Sequence, residues 1–211
     1  VKRVIASAPP FHGAPHPAIV AAMHMAGADE IYVLGGMQAV GAMALGTESI
    51  APVDMLVGPG NAFVAEAKRQ LDGMVGIDMV AGPSEVVIVS DGKSNPDWIA
   101  ADLLAQAEHD PVAQSILITT SPAEADAVEA AVARQLETLP TAAVAGASWR
   151  DFGAIILVPN LAASLPLLDA LAPEHAELMV DDPDWLFARM RHAGSVFLGR
   201  HTPEAAGDCS V

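Results

Sequence analysis

Gln106 and His109 form the first polar motif with side chains suited to chemistry. Their spacing within a predicted helix puts both side chains on one helix face. An amide oxygen and an imidazole so placed can share a zinc ion, although a catalytic zinc needs about three protein ligands. Taken alone, the pair is more typical of a polar helix end, where a histidine interacts favourably with the helix dipole.

Glu174 and His175 lie between a predicted helix and a predicted strand. Both side chains are natural general bases, whereas the dipeptide by itself is more typical of a solvated turn. Ser84 has no Gly-x-Ser-x-Gly elbow around it, so a hydrogen bond to a ligand is a better interpretation than a nucleophile. Asp208 is a carboxylate in a terminal loop, and such groups are usually solvated.

Two glycine-containing segments follow predicted strands in the first half. Gly58-Pro59-Gly60-Asn61 opens a helix, where backbone N–H groups can meet a phosphate or a carboxylate. The segment is not a dinucleotide fingerprint, and a tight turn between strand and helix is the commoner meaning. Gly35-Gly36-Met37-Gln38 occupies an equivalent position. Both fit the rule that open α/β sheets bind ligands at the carboxyl ends of their strands.

Short β-branched runs alternate with longer alanine-rich stretches, which predicts an α/β protein. We expect two incomplete Rossmann-like halves with parallel sheets, residues 1–84 and 85–211, joined at the turn 81–85. The predicted strands are 31–34, 54–57, 86–89, 115–119, 154–158, 177–180 and 195–198, with a further short apolar segment at 75–80. The predicted helices are 17–26, 38–45, 62–71, 96–109, 122–139, 161–171 and 183–192.

Composition limits the partners and the compartment. The 211 residues are 52% apolar and carry a net charge of −16, which disfavours nucleic acid as a partner. No run reaches the roughly 18 apolar residues of a membrane span. The single cysteine, Cys209, cannot form an internal disulfide, so the chain is compatible with a reducing cytosol, and we expect a cytoplasmic protein.

Longer motifs give a more specific signal than any of these pairs. In their order and separations they strongly resemble the histidinol dehydrogenase family along essentially the whole chain. The matching segments are Gly35-Gly36-Met37-Gln38-Ala39-Val40, Val57-Gly58-Pro59-Gly60-Asn61-Ala62-Phe63-Val64, Ile77-Asp78-Met79-Val80-Ala81-Gly82-Pro83-Ser84-Glu85, Gln106-Ala107-Glu108-His109, Ala172-Pro173-Glu174-His175 and Phe197-Leu198-Gly199-Arg200.

The resemblance implies NAD-dependent oxidation of L-histidinol to L-histidine in histidine biosynthesis, with a zinc ion and a homodimeric assembly. Glu174 and His175 match the catalytic pair, with His175 taking protons from the alcohol and Glu174 activating water on the aldehyde. The remaining matches are zinc ligands at Gln106, His109 and Asp208, substrate contacts at Ser84, Gln106, His109, His175 and Asp208, and NAD contacts at Gln38 and Asn61.

The chain also departs from the family pattern. Family members are about twice as long, with an N-terminal region that completes one α/β domain and a tail that supplies a fourth zinc ligand. We therefore expect weak zinc binding and little turnover from these 211 residues alone. Two alternatives remain: a family relative that oxidises another small alcohol, such as a sulfonated diol, and an inactive remnant that serves as an oligomerisation module.

Overall fold

The computed structural model describes residues 1–80 and 84–204. The chain forms two compact units, Val1–Gly82 and Pro83–Val211, and in each of them parallel strands alternate with helices. The predicted α/β class with parallel sheets is therefore confirmed. Within the described ranges, no helix is both long enough and apolar enough to cross a membrane.

The first unit has two parallel sheets of two strands each, β1 with β2 and β3 with β4. Its elements are β1 (Ile5–Ala8), α1 (Pro17–Met25), β2 (Glu30–Val33), α2 (Gly36–Leu45), β3 (Met55–Leu56), α3 (Ala62–Leu71) and β4 (Gly76–Ile77). Val40, Leu56 and Val75 form its small buried core. Strand β1 was not predicted, since its sequence Ile-Ala-Ser-Ala carries little β propensity.

The second unit is built on one five-stranded parallel sheet with the strand order β7-β6-β5-β8-β9. Its strands are β5 (Glu85–Ser90), β6 (Gln114–Thr119), β7 (Ala154–Leu157), β8 (His175–Met179) and β9 (Ser195–Leu198). Strand β5 is paired on both sides and is almost wholly buried, as its continuous β-branched run predicts.

Helices connect these strands. They are α4 (Pro96–Ala107), α5 (Pro122–Leu136), α6 (Ala142–Phe152), α7 (Leu165–Leu171), which follows a 3₁₀ turn at Leu161–Ser164, and α8 (Pro183–Phe187). The predicted helix 161–171 is divided because Pro166 lacks an N–H and is placed in the first turn of α7. Helix α6 was not predicted. Its sequence contains Gly146 and lacks a side-chain cap, so it gives no clear start signal.

The two faces of this sheet are covered by different helices. Val86 and Ile88 pack against α4 and α5, while Val87 and Val89 pack on the opposite face. Side chains alternate along a strand, so in β8 the residues at 175, 177 and 179 share the face that α4 covers. Met179 belongs to the core beneath α4, which places a histidine and a glutamate beside that core.

Candidate functional site

The candidate catalytic histidine lies at the amino ends of the parallel strands of the second unit. His175 is the first residue of β8 and pairs with Val86 of β5 and Ser195 of β9. The prediction of a loop position was therefore wrong, because β8 begins two residues earlier than the predicted strand 177–180. We call this side of the sheet the amino edge.

Helix α4 returns from the carboxyl ends of the strands and ends at the amino edge. It ends at Ala107, and His109 lies in the following turn, where its backbone N–H donates to the Gln106 carbonyl oxygen at 3.2 Å. The prediction that Gln106 and His109 share one helix face was thus wrong in detail. The proline at 111 disfavours helical backbone at Asp110, so the helix ends before it.

Gln106 and His175 are brought together from elements that are distant in sequence. The Nδ1 atom of His175 lies 3.5 Å from the Oε1 atom of Gln106. Gln106 is completely buried, and among the described residues its Nε2 atom has no hydrogen-bond partner. A buried amide with an unused donor is costly unless another group binds it, so this side chain is a candidate ligand-binding group.

A carboxylate also faces the histidine. The Oε1 atom of Glu204 lies 3.5 Å from the Nδ1 atom of His175, and the Glu204 side chain is 5% exposed. The Glu204 backbone N–H donates to the Oε1 atom of Glu177 at 2.8 Å, and the Asp102 carboxyl group of α4 lies close to Glu177. We call Asp102, Gln106, His175, Glu177 and Glu204 the amino-edge cluster.

Burial changes the ionisation of this cluster. Burial, followed by the nearby charge of Asp102, raises the pKa of Glu177 to about 9. Burial likewise raises the pKa of Asp102 to about 6, although the Glu177 side chain opposes that rise. Glu177 is therefore a neutral acid at pH 7. It accepts the Glu204 N–H through Oε1, while its Oε2 atom has no hydrogen-bond partner among the described residues.

Sequence reasoning missed Asp102, Glu177 and Glu204. One signal was available for Glu177, because a glutamate within the apolar run 176–180 has few ways to reach water. Asp102 lies 75 positions away from Glu177 in the sequence, so no local pattern indicates their contact. Asp208, the third predicted zinc ligand, lies outside the described residues.

Glu174 precedes β8 and is exposed, while its backbone is held firmly. Its carbonyl oxygen accepts the Ser195 N–H at 2.8 Å, and a Cβ atom at Gly194 would lie 2.6 Å from the same oxygen. Burial, and then the Glu174 charge, raises the pKa of nearby Glu85.

Ser84 precedes β5 at this edge, and its carbonyl oxygen accepts the Gln114 N–H at 3.0 Å.

The two predicted NAD contacts lie in the first unit, after strands of different sheets. Gln38 is exposed in the first turn of α2, and a Cβ atom at Gly36 would meet its Oε1 atom at 3.0 Å. Asn61 caps α3, since its Oδ1 atom accepts the N–H groups of Phe63 and Val64 at 3.1 and 3.2 Å. The Nδ2 group of Asn61 is then the part of the side chain that can contact a ligand.

The loop before Asn61 is fixed by a buried ion pair. Lys68 donates to the Gly58 carbonyl oxygen and, at 2.6 Å, to Asp78, while Asp78 accepts the Gly58 N–H at 2.7 Å. Burial opposes ionisation of Asp78, but the Gly58 and Lys68 donors lower its pKa to about 2. Lys68 is 4% exposed. The Gly58 N–H is not available to a phosphate.

The opposite edge of the second sheet carries a different set of charges. Arg200 donates to both carboxylate oxygens of Asp91 at 2.6 Å and contacts Asp181 at 2.9 Å, and Lys93 also pairs with Asp181. We call Asp91, Lys93, Asp181 and Arg200 the carboxyl-edge cluster. Parallel α/β sheets usually bind ligands at this edge, but here ion pairs occupy it.

The donors at the amino edge suit a hydrogen-transfer site with a metal. Zinc accepts nitrogen and oxygen ligands, and the buried Gln106 amide together with the exposed His109 imidazole provides both. The described ranges hold no group of three or more His, Cys, Asp or Glu residues that could bind a metal by itself. The two described donors fit zinc as part of a larger ligand set.

Comparisons with known proteins agree on one family. A sequence profile described as "Histidinol dehydrogenase" matches residues 1–211. The chain is 59% identical over 208 residues to a histidinol dehydrogenase of Rhizobium meliloti (strain 1021), covering 99% of this chain and 48% of that protein. It is 60% identical over 209 residues to a histidinol dehydrogenase of Rhodospirillum rubrum, again covering 99% of this chain and 48% of the relative.

The fold agrees as well. A crystal structure of histidinol dehydrogenase from Elizabethkingia anophelis superposes with a TM-score of 0.90 at 38% sequence identity. The match covers 96% of this chain and 47% of that one. The chain thus spans about half the length of the relatives it matches.

Proposed function

This chain belongs to the histidinol dehydrogenase family, and on that basis we propose that it contributes the acid–base and metal-binding residues for NAD-dependent oxidation of L-histidinol to L-histidine. One observation carries the proposal. His175 and Gln106, which the resemblance assigns to proton transfer and to the metal, meet at 3.5 Å although 69 residues separate them.

Within this proposal His175, Glu174 and Ser84 have different roles in the reaction. The Nδ1 atom of His175 faces the amino-edge cluster, so Nε2 is the atom that accepts the proton of the substrate hydroxyl. Glu174, exposed beside it, accepts a proton from the water that adds to the aldehyde. Ser84, at the same edge, donates a hydrogen bond to the amino alcohol.

Gln106, His109 and Asp208 are the proposed zinc ligands and also contact substrate, and Gln38 and Asn61 are the proposed NAD contacts. When bound, zinc would polarise the substrate oxygen, and two NAD molecules would each accept one of the two hydrides released between the alcohol and the acid. Asn61 offers its Nδ2 group, because its oxygen already caps α3. We further propose a homodimer that acts in the cytoplasm, the latter in line with the single cysteine.

Zinc titration of the 211-residue protein by calorimetry tests the metal assignment. We expect His109→Ala to weaken zinc binding at least tenfold, because it removes an imidazole ligand. The matched control is His192→Ala, since His192 is also exposed in the second unit but lies away from Gln106 in the sequence. Equal loss in both variants, or no loss in either, would contradict the assignment.

Turnover tests the reaction itself. Absorbance of NADH is followed with L-histidinol and NAD in the presence of zinc, for the wild-type chain and for His175→Asn. We expect a low rate of NADH formation from the wild-type chain, which spans about half the length of its relatives, and none from the variant, because the variant has no base at Nε2. Equal NADH formation by both proteins would exclude His175 as the base.

A further inference from the structure

Glu204 has no assigned role in the proposed reaction, yet it occupies a distinctive position beside the proposed base. Its Oε1 atom and the Oε1 atom of Gln106 both lie 3.5 Å from the Nδ1 atom of His175. Phe197 packs edge-on against the imidazole ring, with the ring centres 5.9 Å apart. The ring is therefore contacted from the sheet by Phe197 and through Nδ1 by two oxygen acceptors.

We propose that Glu204 is a positioning residue for His175, which holds the ring as the Nδ1–H tautomer with Nε2 left to accept the substrate proton. The inference deepens the proposed function and rests on it for the role of His175. A histidine base works only when the nitrogen that faces the substrate is unprotonated, and the hydrogen bond made by the other nitrogen decides which one that is.

Of the two acceptors, Glu204 is the one suited to a permanent role. Gln106 is a proposed zinc ligand, and its amide oxygen is the atom it would give to the metal. Glu204 is a carboxylate, and an ionised acceptor makes a stronger hydrogen bond than a neutral amide oxygen. In this structure the 3.5 Å separation from Glu204 is an ion-pair distance, and the Nδ1 hydrogen bond goes to Gln106; catalytic hydrogen bonds often tighten only when substrate binds.

Glu204 is in turn held by a hydrogen bond to the middle of β8. Its backbone N–H donates to Glu177 at 2.8 Å, and Glu177 is completely buried in the middle of β8. The Asp102 carboxyl group, in α4, lies close to that of Glu177. The position of Glu204 is thus fixed by a strand of the same unit, which is the arrangement expected of a residue that orients another.

The tautomer of His175 tests this inference without metal, substrate or turnover. Long-range proton–nitrogen spectra of the ¹⁵N-histidine-labelled protein, treated with a chelator and held at a pH where the ring is neutral, report which nitrogen carries the proton. His175→Asn identifies the signals. We expect the wild-type ring to be mainly Nδ1–H, and a mainly Nε2–H ring would overturn the inference with no variant needed.

Variants then separate Glu204 from Gln106. In Glu204→Ala we expect the population to move towards the Nε2–H tautomer, whereas Glu204→Gln retains an acceptor oxygen and should keep the Nδ1–H form. The control, Glu129→Ala, changes an exposed glutamate of the same unit and should have no effect. If only Gln106→Ala moves the signals, Gln106 and not Glu204 positions the ring, and the inference is wrong.

This outcome is distinguishable from failure of the proposed function. The Nδ1–H tautomer with equal NADH formation by the wild-type chain and His175→Asn would leave Glu204 as the residue that orients His175 and would reject His175 as the base of the reaction. NADH formation with an Nε2–H ring would retain the reaction and reject the role of Glu204. Near-ultraviolet circular dichroism of each variant checks that the aromatic packing of the second unit is intact.

Discussion

The two edges of the second sheet both carry carboxylates, and these differ in what surrounds them. At the carboxyl edge, Lys93 and then Arg200 lower the pKa of Asp181. At the amino edge, burial raises the pKa values of Glu177 and Asp102, and no lysine or arginine of the described ranges contributes to either shift. The carboxyl edge neutralises its acids with cations, whereas the amino edge keeps a proton on Glu177.

This difference indicates where the second unit can act on a ligand. The charges of the carboxyl-edge cluster are paired with one another, although the Nε atom of Arg200 is buried with no hydrogen-bond partner among the described residues, so a ligand would have to break ion pairs to enter. The amino-edge cluster keeps a proton on Glu177 and an unused donor on Gln106. Groups that are incompletely satisfied by the protein are typical of binding and catalytic sites, which favours the amino edge.

The largest effect should come from removing the cation at the carboxyl edge. Arg200→Ala leaves the Asp91 side chain, 10% exposed, without its two hydrogen bonds from the guanidinium group. We expect the free energy of unfolding to fall by about 3 kcal/mol, because one member of a largely buried pair is left alone. Urea unfolding followed by tryptophan fluorescence measures this, since all three tryptophans lie in the second unit.

Arg200→Lys is the matched control, which keeps the charge but not the paired geometry and should lose less. An Arg200→Ala variant as stable as the wild type would contradict the proposed difference between the two edges of the sheet. The ion pairs of the carboxyl edge would then contribute nothing measurable to folding.

A change of opposite sign is expected from the amino edge. The folded-state pKa of Glu177, about 9, lies above its ordinary value of 4.5, so the folded protein binds more protons than the unfolded chain between these pH values. Stability contributed by this group is therefore present at low pH and is lost as the pH rises through that window. Glu177→Gln stays neutral and should raise the free energy of unfolding at pH 8 by about 2 kcal/mol.

Urea midpoints of both proteins at pH 5 and pH 8 test this expectation, which requires a larger gain at pH 8. Glu124→Gln is the matched control, because Glu124 is also buried but accepts the hydroxyl groups of Ser90 and Thr119 at 2.8 and 2.5 Å. Losing an acceptor there should cost about 1 kcal/mol. If Glu177→Gln lowered the free energy of unfolding as much as Glu124→Gln does, the two buried glutamates would not differ in their effect on stability.

The smallest effect is expected for Lys93. Lys93 pairs with Asp181 where both side chains are more than half exposed, at 63% and 57%. Water and salt screen such a pair, so Lys93→Ala should leave the urea midpoint unchanged. A clear loss of stability would mean that the pair is more protected than its exposure indicates.

The fold of the second unit was largely predictable because its strands are short apolar runs between helix start signals. Asn95 and Ser121 cap α4 and α5 as their residue types predict. Element ends were harder to predict: the end of α4 depends on Pro111, and the start of β8 depends on pairing with β5 and β9. Pairing of this kind is a tertiary effect that no local pattern records.

The site was predictable only in part. The family motifs indicated Gln106 and His175, and the fold brings these two together. His109, however, lies beyond the end of α4 and not on the helix face predicted for it. The acids around His175 were missed because burial, not residue type, gives them their properties. The burial of Lys68 was not predicted either, since its partner Asp78 follows a strand that the sequence marks only weakly.

Gly194 has a consequence for the engineering of this protein. Any side chain at position 194 would meet the Glu174 carbonyl oxygen, so directed-evolution libraries should leave this codon fixed. His192, two residues earlier, is exposed and can be randomised freely. A mutational scan should therefore show that position 192 tolerates substitution and position 194 does not. Libraries designed to change the substrate range can leave position 194 out.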